Sequence, residues 1–250
     1  MKTGGAFFIT NDNHTKRSAK EVQLKLGKRL RQIESMVTAG YNHIWDCCCD
    51  HGLLGAALLA RQAAPRIHFV DIAPELMHQL ENKLERFYPE NSRSHCQWQV
   101  HCTDVTALPL GQFNGKHLVI IAGVGGDLMT ELVKTIYQQN PRADIDFLLC
   151  PVHHQFTLRA QLIEFGFSLK TEALTAENHR FYEILLVSTT QDHYLKINPI
   201  GNFIWQSTTP EQAKIAADYL KKTLDHYQRV QLSRHAEVQH IIDAYSAVIT

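Results

Sequence analysis

"WDCCCDHGLLGAALL", residues 45–59, is the stretch on which the reading of this chain turns. An apolar run closes at Asp46, and an Asp-His-Gly turn opens a second apolar run. That is how a buried strand leads into a ligand-binding helix in an open α/β sheet. Yet three cysteines fill the turn, where small residues with glycine-like freedom are expected. Adjacent side chains on a strand point to opposite faces, so Cys47, Cys48 and Cys49 cannot readily grip one ion. Structural zinc sites prefer cysteines paired at a spacing of two to four residues. His51, His153 and His154 complete such a site only in principle, and no metal is expected. Small buried thiols acting as modest hydrophobes are the plainer reading.

Outward from this stretch, strands and helices alternate. "HIWDC", "RIHFVDI", "QWQVHCTDV", "KHLVIIAG" and "DFLLCP" read as strands. Between them lie the helical segments "GLLGAALLARQ", "PELMHQLENKLERFY", with Pro74 in its first turn, and "GGDLMTELVKTIYQQ". "FTLRAQLIEFGF" is a further helix, stopped by Gly166. Short, continuous apolar strands alternating with helices imply a parallel sheet covered on both faces. "SLKTEAL" and "RFYEILLVS" alternate as an antiparallel closing pair. Upstream, Leu26, Leu30, Ile33 and Val37 describe an amphipathic helix ending at Gly40. After about residue 190 the chain is irregular. From Pro210 onward it reads as a helical tail, a coiled coil being one form of it, with a bend near Ser233. Three parts are expected: a basic N-terminal arm at 1–21, an α/β domain at 22–190, and a linker with helical extension at 191–250.

The 250 residues carry 25 basic and 25 acidic side chains, so global charge names no partner. Its distribution is uneven. Residues 1–31 hold eight basic residues against Asp12 and Glu21, a net of +6, and the remainder carries −6. A basic arm on an acidic body is compatible with an anionic polymer, and equally with a solvated helix face. Lys28, Arg29 and Arg31 fall largely off the apolar stripe and are the residues expected to meet such a polymer. No segment reaches the ~18 apolar residues of a membrane span, and the apolar stretch at the N-terminus is too short for a signal peptide. Six cysteines, three of them adjacent, do not form a disulfide framework, so a reducing cytoplasm is expected.

Ligands of open α/β sheets bind outside the carboxyl ends of the strands. Those ends are Asp46–Gly52, Asp71, Asp104, Ala122–Gly126 and Cys150–His154. Asp71 follows Asp46 at the spacing where an acid accepts both hydroxyls of a cofactor ribose. Its position before Pro74 also suits helix capping. Asp104 is placed to bond an adenine amino group, or is simply a solvated acid. Ile72 and Val105, next in sequence to these acids, are counted with the expected donor site. The first loop lacks G-x-G-x-x-G, which disfavours a nicotinamide cofactor with its pyrophosphate. S-adenosylmethionine has no phosphate. Asp46 and Asp50 suit its ammonium, and backbone N–H groups around Cys48 and His51 suit its carboxylate. "AGVGG" at 122–126 has no lysine and no Ser/Thr after its last glycine, so it is not a phosphate loop. Ala122, Gly123 and Gly125 would instead let the backbone approach a flat base and a methyl donor closely.

Together these pieces resemble the bacterial tRNA adenine-22 N1-methyltransferase family. "LGKRLRQIESMV" is similar to its opening helix and "DCCCDHGLLG" to its Asp-x-Gly-x-Asp-His loop. "IAGVGGDLM" is similar to its Ala-Gly-Met-Gly-Gly signature, and "TEALTAENHRFYEILLV" to its closing hairpin. The strand and helix "LLCPVHHQFTLRAQLIEFGF" follows its pattern as well. Cys48, Cys150 and Val152 stand where the family has Gly, Gln and Asn, which marks a divergent branch. The resemblance implies a Rossmann-like class I methyltransferase with a seven-stranded, mostly parallel sheet and a C-terminal helical extension. It further implies S-adenosylmethionine as donor, tRNA as partner and N1 of an adenine as acceptor. Asp127, His153 and Tyr182 are then the expected catalytic residues, with His154 beside them. The alternatives are a methyltransferase for another RNA base or a small molecule, or an RNA-binding module with an impaired donor pocket.

Overall fold

A computed structural model of the chain describes residues 25–89, 96–190, 195–234 and 237–248. The basic residues Lys2, Lys16, Arg17 and Lys20 of the arm lie outside the described residues. The five parallel strands form where the apolar runs place them: β1 (His43–Cys47), β2 (Arg66–Asp71), β3 (Gln97–Cys102), β4 (His117–Ala122) and β5 (Ile145–Cys150). The antiparallel closing pair is β6 (Ser168–Glu177) and β7 (Arg180–Ser188). The order across the sheet is β3-β2-β1-β4-β5-β7-β6-β8. It therefore holds eight strands where the sequence suggests seven. The extra one, β8 (Leu195–Lys196), adds two residues to the free edge of β6. A strand that short shows no alternation to read.

Each strand sends alternate residues to two cores. One face gathers Ile44, Phe69, Ile120, Leu148 and Ile184 under α1 (Lys28–Met36), α2 (Leu53–Ala60) and α3 (Pro74–Phe87). The other gathers Trp45, Val70, Ile121, Phe147 and Leu185 under α4 (Gly126–Gln139) and α5 (Gln155–Glu164). No helix intervenes between β3 and β4; two 3-10 turns, Val105–Ala107 and Leu110–Gln112, span that gap. Beneath them His68 is stacked on Trp45 at 3.7 Å and hydrogen-bonded to His43 and His101 at 3.1 and 2.9 Å. Burial pushes His68 down to about 2, so this ladder of imidazoles is neutral.

The tail forms α6 (Pro210–Arg234) and α7 (Gln239–Ser246), two helices packed on each other; Ser233, where the sequence suggests a bend, lies inside α6. Eight residues in α7 are far fewer than the repeated heptads of a coiled coil. Aromatic rings join the helix pair to the sheet domain: Phe181 meets Tyr219 and Phe156 meets Tyr245, while Trp205 stacks on Tyr219 and Tyr227 on Tyr245 within the tail. Among the described residues no helix is long and apolar enough to cross a membrane.

Candidate active site

Parallel register brings the strand ends to one rim. Cys47 pairs with Val70 and Ile121, Asp71 with Cys102, and Ala122 with Cys150. Asp46 is the last residue of β1 to face the α2 side, and it is only 4% exposed. Its Oδ2 accepts the Gly55 N–H at 2.8 Å. Glycine is required at 55: a Cβ there would meet the Phe69 ring and come within 2.9 Å of Asp46 Oδ2. Burial pushes the Asp46 carboxyl up to about 7; the Gly55 hydrogen bond offsets part of this, and nearby Asp71 adds to it. Oδ1 of Asp46 has no hydrogen-bond partner among the described residues.

The next turn is tightly wound. Cys48, Asp50 and Gly52 have φ of +56°, +51° and +68°. The left-handed region is costly for a residue with a Cβ, so glycine would suit position 48 and cysteine holds it under strain. The three thiols divide between the two cores. Cys47 and Cys48 pack on the α4 side and Cys49 on the α2 side. Cys47, Cys48 and Cys49 form no disulfide. Burial raises the Cys47, Cys48 and Cys49 thiols, with Cys48 at about 11, which keeps them protonated and unreactive. The carboxylates acting on Cys48 are those of Asp71, Asp46 and Asp104, so three rim acids surround this one side chain.

Asp71 Oδ2 accepts the Asp50 N–H, and Oδ1 accepts the N–H of Ala73, the N-cap residue of α3, both at 3.1 Å. It thus ties the first loop to the second while its outer lone pairs remain available. Beside it Ile72 is 67% exposed, a bare apolar side chain at the rim. Asp104 is exposed, and its Oδ1 takes both the N–H and the hydroxyl of Thr106 at 2.7 and 2.5 Å. Those bonds hold its carboxyl below the usual range. Val105 turns inward, so only its backbone faces the rim. Gly123 has φ +90°, and a Cβ on Gly125 would strike the His153 ring. A small cavity of about 110 Å³ is lined by Asp46, Cys48, Asp50, His51, Ala122 and Arg29.

Arg29 is the residue whose place the sequence hides. Lys28 is exposed, 3.7 Å from Glu211 of α6, and Arg31 donates to the Leu26 carbonyl. Arg29 instead turns inward. Its guanidinium lies over the Tyr182 ring at 5.1 Å, with Nη1 3.7 Å from where a Gly123 Cβ would stand. Arg29 is four residues before the buried Ile33, on the same side of α1, a spacing that signals the inward face. Tyr182 is itself buried beneath that guanidinium. His153 and His154 are exposed, and His154 Nδ1 pairs with Asp127 Oδ2 at 2.6 Å across the α4 N-terminus. These two histidines, Tyr182, Phe181, Arg180 and Lys222 belong to the lining of a larger groove of about 730 Å³ between the β6–β7 hairpin and α6. The tail thus brings a basic, aromatic wall to the expected catalytic side, which no local motif shows.

An open α/β fold with an acid-rich rim at its strand ends and no phosphate-binding loop suits a methyl-transferring domain. The family described as "Methyltransferase domain" matches residues 26–185, and the chain belongs to it. Many solved structures share the fold, three of them as follows. One is Streptococcus pneumoniae Sp1610, crystallised as a candidate tRNA (m1A22) methyltransferase, with a TM-score of 0.70 and 19% identity over 89% of this chain and 98% of that one. Another is B. subtilis TrmK, an M1A22 tRNA methyltransferase, with a TM-score of 0.66 and 18% identity over 91% and 100%. The third is M. capricolum TrmK with S-adenosyl-homocysteine, with a TM-score of 0.66 and 16% identity over 88% and 96%. No curated protein sequence matches the chain.

Proposed function

We propose that this protein transfers the methyl group of S-adenosylmethionine to N1 of an adenine in tRNA. The carrying observation is the adjoining pair of sites: the acid-rich donor rim, and beside it the basic and aromatic groove reaching His153 and His154. Relatives of similar fold support the same reading: Sp1610, a candidate tRNA (m1A22) methyltransferase, is seen with S-adenosylmethionine, M. capricolum TrmK with S-adenosyl-homocysteine, and B. subtilis TrmK is an M1A22 tRNA methyltransferase.

The residues present fit the donor. The buried Asp46 carboxyl, with one oxygen unpartnered, suits an ammonium. Asp71 suits two ribose hydroxyls, Ile72 offers an apolar platform to a flat base, and Asp104 suits its amino group. The donor supplies an electrophilic methyl on a sulfonium sulfur. Adenine N1 carries an available lone pair, so the protein needs no base to create a nucleophile. Its task is to align the acceptor with the methyl, which is catalysis by proximity. With the donor bound, its methyl would pass from sulfur to N1, and the base would gain positive charge. The Asp127 carboxylate, held by His154, favours that charge electrostatically. Phe181 and His153 offer rings for stacking, and Lys222, Arg180 and Arg229 line the groove as phosphate partners. The exposed Lys28 and Arg31 of α1 extend this basic path.

Incubation with unmodified total tRNA and labelled donor, followed by nucleoside analysis, tests this reading. N1-methyladenosine is the expected product. A different methylated nucleoside reassigns the acceptor, and tRNA binding without any transfer leaves an RNA-binding module in its place.

A further inference from the structure

We propose that Arg29 is a donor-binding residue, holding the carboxylate of the donor's amino-acid end. This deepens the reading of the rim as a donor site and rests on it. The donor's tail ends in two charges of opposite sign; the side chains of the rim acids suit only the ammonium, and the first loop offers the carboxylate backbone N–H groups alone. Asp46, Asp50, Asp71 and Asp104 welcome an ammonium and repel a carboxylate. The cavity beneath the first loop is nevertheless lined by one permanently charged cation, Arg29, together with Asp46 and Ala122. Arg29 has no ion pair and donates no hydrogen bond among the described residues. Its planar fork is the group best matched to a carboxylate.

The side chain is also held in place. Tyr182 supports the guanidinium from below at 5.1 Å, and Ile33 and Met36 bury the same helix in the core. The absence of a side chain at Gly123 leaves the space beside Nη1, where a Cβ would come within 3.7 Å. Nη1 stands beside Gly123, just past the end of β4, and its charge offsets part of the burial-driven rise of the Cys150 thiol at the end of β5. A half-buried cation with unspent donors, set on an aromatic ring and opening to a cavity of carboxylates, is built to receive an anion. Asp46 and Arg29 thus divide the two ends of one zwitterion between β1 and α1.

Calorimetry on the full chain distinguishes the possibilities with two ligands. S-adenosylhomocysteine carries the amino-acid end; 5′-methylthioadenosine keeps the adenosine and thioether and lacks both charges. Arg29→Gln, which keeps bulk and helix propensity, should weaken S-adenosylhomocysteine by about 10- to 100-fold, as for a lost hydrogen bond to a charged group. Its affinity for methylthioadenosine should match the parent's. Arg29→Lys should fall between, because it keeps the charge and loses the fork. Equal weakening of both ligands would show that Arg29 only supports the pocket wall through Tyr182, and no weakening of either would show that it faces no ligand; both overturn the proposal alone. A parent chain that binds neither ligand overturns the donor reading itself, and this proposal with it.

Discussion

The donor rim and the tail junction are both polar regions, and they are built on opposite plans. At the rim, acids stand at strand ends and keep capacity in reserve: Asp46 Oδ1 and the Arg29 fork are unspent. At the junction every charge is used on the protein itself. Arg159 of α5 is fully buried, with Nε on Glu183 Oε2 at 2.7 Å and Nη2 2.8 Å from Glu172 Oε2. The second contact is close but poorly aligned, a charge contact more than a directed hydrogen bond. Tyr219 of α6 donates to Glu183 Oε1 at 2.6 Å, and the N–H groups of Asn202 and Phe203 donate to Glu172 Oε1 at 2.5 and 2.6 Å. Two carboxylates share one guanidinium, and the surplus negative charge is absorbed by a hydroxyl and two backbone donors. A polar group with reserve is available to a ligand; a saturated one fixes geometry. The junction sets where α6 lies, and α6 forms one wall of the groove beside the rim.

The contrast is most sharply tested at Arg159. Arg159→Met should leave two buried carboxylates without their cation, at a cost of about 3–5 kcal/mol. Urea denaturation should show it as a large drop in midpoint; a change below about 1 kcal/mol, within the range of exposed ion pairs, would show that the junction is held by its aromatic rings alone.

At the rim the same kind of change should fall on binding. Asp71→Ala should weaken the donor by about 1.5–3 kcal/mol, the worth of hydrogen bonds to a charged group. Calorimetry with unchanged affinity would remove Asp71 from the site and leave it as the link between Asp50 and Ala73.

The reserve at Asp46 should also appear as pH dependence. Its folded carboxyl sits at about 7 against an ordinary 3.8. A raised acid contributes stability that is full below its unfolded value and lost as pH rises through the folded one. The ligand-free protein should therefore lose stability between about pH 4 and 7, and Asp46→Asn should flatten that slope. Donor binding has the opposite sign, because an ammonium favours the carboxylate. Affinity should rise with pH up to about 7, by roughly tenfold per unit below it, with proton release seen in buffers of different ionisation heat. A pH-independent affinity would mean that the ammonium lies elsewhere.

The smallest effect belongs to the strained turn. Cys48→Gly should relieve a left-handed cost of ~1–2 kcal/mol and add ~0.5–1 kcal/mol of chain entropy to the unfolded state. A net gain of up to about 1 kcal/mol is expected in thermal unfolding. A loss would show that the packing of the Cys48 thiol outweighs the backbone strain.

The order of strands and helices, the rim acids and the glycines of the turn are legible in the residues because they rest on local periodicity and strand-end position. The resemblance at "DCCCDHGLLG" even marks position 48 as a glycine site, and the backbone there is left-handed. The eighth strand was not legible, since two residues carry no period. Nor was the pairing of Asp127 with His154, which lie 27 positions apart, or the union of Arg159, Glu172, Glu183 and Tyr219 from four elements. Arg29 lies between these cases: it was read with Lys28 and Arg31 as off the apolar stripe, although it stands four residues before Ile33 and turns inward in the fold. Sequence fixes which face of an element is apolar, because burial repeats with the backbone. Which polar groups meet across that core depends on how separate elements pack, and only the folded chain decides it.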